Sequence, residues 1–93
     1  MEQPDAFLVV ESRLVIHRGY ADSPFTANTF IIDVGHSFSS QLVQLIPIPK
    51  AGKSCKVKRV TTRQLEKTNQ VEVTFDVENA TELSQLAYTL FVT

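Results

Sequence analysis

The chain has 93 residues, 43% of them apolar and 20% charged, with three glycines and a net charge of −1. That length holds a single domain, 1–93, and the apolar share offsets the entropy of ordering, which excludes a disordered or low-complexity chain. The near-neutral balance gives no global field that draws the chain to nucleic acid or to anionic lipid.

The apolar run at 6–10, AFLVV, stops at Glu11. Five residues fall short of the roughly 7–15 of a signal-peptide core and the about 20 of a membrane span. The apolar stretch 42–48 carries Gln44 and Pro47, and it does not span a bilayer either. Cys55 is the only cysteine, so no disulfide forms within the chain, and a reducing compartment, the cytoplasm, is expected.

Taken in order, residues 6–18 read as extended. Leu8, Val10, Leu14 and Ile16 share one parity, and Phe7, Val9, Val15 and His17 share the other. The charged middle, Glu11 and Arg13, places a break or bulge near Ser12. Gly19, Asp22, Ser23 and Pro24 predict a loop over 19–24. Residues 25–34, rich in Phe, Thr and Ile and closed by Gly35, predict a second strand.

The third segment is ambiguous. Phe38, Leu42, Leu45 and Ile46 fit a helical stripe over 37–46, with Ser37 as a cap and Pro47 as a stop. The stretch 42–48 also fits a short extended edge. A fourth segment over 54–65 leads through 66–70 into a fifth, and Asn69 suits the left-handed residue of a hairpin turn.

The fifth segment has the clearest pattern. Val71, Val73, Phe75 and Val77 alternate with Glu72, Thr74, Asp76 and Glu78, the period of a strand with one wet face. Over 80–91, Leu83, Leu86, Ala87 and Leu90 sit at helical spacing, and Asn79 with Glu82 resembles a capping box. Leu86, Tyr88, Leu90 and Val92 alternate as a strand does. Together these segments predict an all-β fold, a compact antiparallel β-sandwich or partly open barrel of about six strands. The alternative is α+β with a helix near 37–46 or 80–91.

Charge is unevenly spread. Seven of the nine basic residues, Lys50, Lys53, Lys56, Lys58, Arg59, Arg63 and Lys67, lie in 50–67 with Glu66 as the only acid there. Pairing with Glu72, Asp76 and Glu78 across a hairpin accounts for such a strand, and so does protection of a sheet edge. The functional reading is a grip on phosphates or on an acidic protein, through Lys53, Lys56, Lys58, Arg59 and Arg63. Residues 50–67 hold no aromatic to stack on a base, so nucleic acid is the less favoured ligand.

Chemistry-bearing patterns are weak. Ala51-Gly52-Lys53-Ser54 ends like a phosphate-binding loop, but Pro47 stands where that motif needs its first glycine. His36 has Asp33, Ser37 and Ser39 nearby, yet no nucleophile elbow accompanies them. His17, His36 and Cys55 do not make a four-ligand zinc pattern. Cys55 shares the parity of Val57 and reads as a small inward-facing residue, although the neighbouring lysines would activate it if exposed. Tyr20 and Phe25 flank the predicted 19–24 loop and are possible contact residues.

No catalytic residue, metal site or cofactor is therefore predicted. The expectation is a non-enzymatic protein–protein interaction domain, a subunit or adaptor that partners another protein or itself as a homo-oligomer. The alternative is an anion- or nucleic-acid-binding module using the basic strand 50–67.

Overall fold

A computed structural model describes residues 13–93, and it is built from strands. β1 is Val15–Asp22, β2 Thr29–Asp33, β3 Gln41–Pro49, β4 Lys56–Leu65, β5 Gln70–Glu78 and β6 Leu83–Val92. They form two three-stranded antiparallel sheets, β1-β6-β3 (sheet A) and β2-β5-β4 (sheet B). The all-β sandwich is thus the observed architecture. The predicted segment over 6–12 and its break near Ser12 lie outside the described residues.

The alternating pattern of the fifth segment sets the centre of sheet B. Val71, Val73 and Phe75 are buried to 1% exposure or less, while Thr74 and Glu78 face water. β6 is the matching centre of sheet A, with Leu86, Leu90 and Val92 buried. One core cluster joins Ile32, Val71 and Val73 of sheet B, with Val34 just beyond β2, to Leu90 and Val92 of sheet A. A second joins Phe75, Leu83 and Leu86, with Phe25, Phe30 and Cys55 packed against it. These cross-sheet contacts hold the sandwich together, since burying a Val, Leu or Phe contributes about 1.5–3 kcal/mol.

Both helical alternatives are corrected. Residues 41–46 of the 37–46 window belong to β3, which runs on to Pro49, and 83–92 run as β6 after a single 3-10 turn at Ala80–Glu82. Pairing decides both cases. β6 has partners on both sides, Leu86 opposite Ala21 and Pro47, and Leu90 opposite His17 and Val43. As a strand between two others, β6 pairs both rows of its backbone groups while its alternating apolar set faces the core. The capping box does not form: Asn79 is itself left-handed (φ 60°), with no side-chain cap bond.

The predicted 19–24 loop is corrected as well. β1 continues through Gly19, Tyr20, Ala21 and Asp22, paired with Tyr88, Ala87, Leu86 and Gln85. Gly19 is there for space rather than for a turn. A Cβ at this position would lie 2.6 Å from the Tyr88 hydroxyl and 2.8 Å from Cζ.

The hairpin at 66–70 forms as expected, with a 3-10 turn at Glu66–Thr68 and Asn69 left-handed (φ 52°). β4 carries a bulge. Lys58 pairs with Asp76 and Thr61 with Thr74, so Arg59 and Val60 together stand opposite Phe75. Arg59 takes the left-handed conformation (φ 54°) that lets Val60 turn inward onto the core.

Candidate functional site

The two outer faces of the sandwich differ in chemistry. On sheet B, Lys56, Lys58 and Arg63 of β4 stand opposite Glu78, Asp76 and Glu72 of β5. Lys58 Nζ donates to Glu78 Oε2 at 2.9 Å, and Arg59 Nη1 donates to Asp76 Oδ2 at 2.9 Å. Arg63 reaches Glu72 Oε1 from both Nε and Nη2 at 3.0 Å. The hydrogen bond to Glu78 raises the Lys58 ammonium above its ordinary value, and the same bond lowers the Glu78 carboxyl.

Three of the five basic residues singled out in the sequence, Lys58, Arg59 and Arg63, are therefore ion-paired within the hairpin. Lys56 is exposed at the start of β4, and Lys53 closes a tight turn by donating its amide to the Lys50 carbonyl at 2.9 Å. Gly52 supplies the positive φ of 73° in that turn. The resemblance to a phosphate-binding loop ends there, since β4 rather than a helix follows.

Sheet A presents the opposite character. Residues directly opposite across the three strands form ranks on the outer face: Ile16–Phe91–Leu42, then Arg18–Thr89–Gln44, then Tyr20–Ala87–Ile46. Ile16, Tyr20, Leu42 and Ile46 are 44%, 66%, 63% and 65% exposed. On the outer face of sheet B, Ile31 is the comparable exposed apolar side chain among the described residues. Comparison of the chain with protein-family models, with curated proteins and with solved structures finds no match.

Tyr20 and Phe25, paired in the sequence as flanks of one loop, separate in the fold. Tyr20 projects from sheet A. Phe25 packs edge-on against Phe75 with ring centroids 5.2 Å apart, and it lies 5.9 Å from Phe30. It also lines an open pocket of about 420 Å³ with Val77, Leu83 and Lys50. The hydroxyl of Ser23 in that pocket donates to the Leu83 carbonyl at 2.9 Å, so it is engaged rather than poised as a nucleophile.

The two histidines, kept apart in the sequence reading, meet. His17 of β1 and His36 of the connection from β2 to β3 place their Nε2 atoms 3.2 Å apart. His36 Nδ1 lies 3.0 Å from the Ser37 carbonyl oxygen, and Ser39 donates to the Thr93 carbonyl at 3.3 Å. The Ser39 hydroxyl is thus engaged with a backbone carbonyl, and Ser37 meets His36 through its own carbonyl. Among the described residues, no group of three or more His, Cys, Asp or Glu side chains gathers. Cys55 is half-buried against Phe75, Leu83 and Leu86. No helix among the described residues is long and apolar enough to cross a membrane.

Proposed function

We propose that this chain is a non-enzymatic protein–protein interaction domain that associates with a second copy through the outer face of sheet A. The observation that carries this reading is the row of Ile16, Tyr20, Leu42 and Ile46 on one face of the sandwich, against a charged and paired opposite face. β3 explains why. Its sequence QLVQLIPIP is apolar at both parities, with Val43 and Leu45 against the core and Leu42 and Ile46 outward. Strands apolar on both faces are those covered on both faces.

Self-association suits the face's charge, since Arg18 and Asp22 of β1 give it one cation and one anion and no net repulsion against its own copy. Three strands about 4.8 Å apart and roughly eight residues long make a face of roughly 14 by 27 Å. Stable interfaces bury about 800 Å² per partner, so a patch this size supports a weak, concentration-dependent dimer, with Kd on the order of micromolar. Such a complex belongs in a reducing compartment, the cytoplasm, where the single thiol stays reduced. The polyanion alternative has less support, because Lys58, Arg59 and Arg63 already serve carboxylates of β5.

Light scattering across a range from about 1 µM to about 1 mM tests the proposal, in a window that brackets the expected Kd. The wild type shifts from monomer to dimer mass, and a Leu42→Lys/Ile46→Lys variant stays monomeric. Ile31→Lys, on the other sheet, leaves the equilibrium unchanged. A wild-type monomer throughout, or dimerisation untouched by the Leu42/Ile46 pair, overturns the reading.

A further inference from the structure

We infer that His17 and His36 form a two-imidazole chelating site for a divalent first-row transition metal of the Zn²⁺, Ni²⁺ or Cu²⁺ class. Three facts converge on it. The chain has two histidines, 19 residues apart in sequence, and the fold brings their Nε2 atoms to 3.2 Å. The rings approach with centroids 5.4 Å apart and planes inclined by 28°, so the two nitrogens face each other head to head. Both groups are solvent-accessible, which leaves an open path for a hydrated ion.

The hydrogen bonding fixes which nitrogens are available. The Ser37 carbonyl can only accept, so His36 Nδ1, 3.0 Å away, carries the proton. Neutral His36 therefore presents a bare lone pair at Nε2, and the metal-free contact is His17 Nε2–H donating to it. A ring N–H donated to a carbonyl is also the support that orients metal-bound histidines. A cation replaces the single proton between the rings once His17 moves its own proton to Nδ1. Two nitrogens each about 2.0–2.1 Å from a tetrahedral ion stand about 3.3–3.4 Å apart, so the fold supplies nearly the required spacing, and a tilt of each ring out of the head-to-head contact turns both lone pairs onto the ion.

The donor set selects the ion. Imidazole nitrogen suits zinc, copper and nickel, whereas magnesium and calcium take oxygen ligands. With two protein ligands, the remaining positions hold water. The ligands come from β1 of sheet A and from the connection that leaves sheet B, so the ion ties the two sheets together at that end. An ion bound there stabilises the folded chain by mass action.

Thermal unfolding with Zn²⁺, Ni²⁺ or Mg²⁺ chloride tests the site, paired with titration calorimetry of each ion on the full chain. The wild type gains roughly 5–10 °C at a zinc or nickel concentration tenfold above Kd, and magnesium gives no shift. His17→Ala and His36→Ala each weaken binding by tenfold or more while keeping the native fold by circular dichroism. Acidification releases the ion, because both nitrogens must be unprotonated to bind. As a readout independent of stability, trace Cu²⁺ broadens the imidazole proton resonances of both histidines together. Wild-type affinity retained in either single variant, a shift with magnesium equal to that with zinc, or broadening of one ring alone overturns the inference. The site is independent of the sheet A interface, since Leu42→Lys/Ile46→Lys leaves both ligands in place.

Discussion

The ring of Tyr88 lies directly on the backbone of Gly19, its partner across the β1–β6 pair, and fills the space of a side chain at that position. Gly19→Ala brings a methyl within 3 Å of Cζ and the hydroxyl of an aromatic ring anchored in a central strand. Overpacking of this kind costs about 1–3 kcal/mol. Urea unfolding is expected to show that loss, and Tyr88→Ala in the same chain to remove most of the additional penalty of Gly19→Ala. Equal penalties in the two backgrounds would mean that the close approach does not limit position 19.

The Gly19 case shows where sequence patterns serve and where they mislead. β5 was legible because Val71, Val73, Phe75 and Val77 alternate with polar residues over a strand buried on one side only. Gly19 looks like turn chemistry in one dimension, yet its role is set by a residue 69 positions away. β3 also fits a helix in sequence because apolar groups at both parities mimic a helical stripe. The same doubling marks a strand whose outer face seeks a cover. The bulge in β4 left a signal too: Val57 and Val60 both face inward although they stand three positions apart, which strict alternation forbids. Contact between His17 and His36 left none, since it depends on how the connection from β2 to β3 crosses the end of the sandwich.

At the bulge, Arg59 holds a left-handed backbone (φ 54°) that costs a side-chain-bearing residue about 1–2 kcal/mol relative to glycine. The ion pair it makes with Asp76 is exposed and recovers less than that, about 0.2–1 kcal/mol. Arg59→Gly is therefore expected to be neutral or stabilising by up to about 1 kcal/mol in denaturant unfolding. Arg59→Val, β-branched in the same conformation, is expected to destabilise. A clear loss of stability in the glycine variant would assign the larger share to the ion pair.

The Lys58–Glu78 bridge predicts a pH window. Glu78 has its carboxyl lowered from an ordinary 4.5, so its contribution is present above that value and lost as pH falls through the folded one. Lys58 is raised from 10.5, so its contribution is present below 10.5 and lost as pH rises through the folded value. Glu78→Gln is thus expected to be less stable than wild type at neutral pH. The difference should close on acidification below the carboxyl range and on strong alkalinisation. A gap that persists at acid pH would assign the effect to packing at position 78.

Ion pairing across the hairpin also bears on polyanion binding. Residues 50–78 hold seven basic and four acidic side chains, and Lys58, Arg59 and Arg63 spend their charge on β5. Neutralising those acids with Glu72→Gln, Asp76→Asn and Glu78→Gln frees a basic strip without moving a lysine. Heparin retention is expected to be slight for the wild type, to rise in the triple variant and to fall steeply with salt in both. Tight wild-type retention, lowered by reversal of Lys56, Lys58 and Arg59 to glutamate, would favour the polyanion reading over the dimer.

Tyr20 and Phe25, neighbours in sequence and equal candidates as contact residues, are expected to separate by experiment as they do in space. Phe25 joins Phe30 and Phe75 in an aromatic cluster, with the Phe25 and Phe75 rings perpendicular at 89°. Truncation to alanine removes a half-buried ring from that cluster and widens the adjoining pocket, at an expected cost of about 2–4 kcal/mol. Tyr20→Ala removes an outward ring from sheet A, so stability at low protein concentration should change by less than about 0.5 kcal/mol. Its effect belongs to association: the dimer weakens by tenfold or more if Tyr20 anchors the interface, as buried tyrosines commonly do. Unfolding at dilute concentration and light scattering at high concentration together assign each ring. A Tyr20→Ala chain that unfolds early but dimerises normally would place the tyrosine in the fold rather than in the contact.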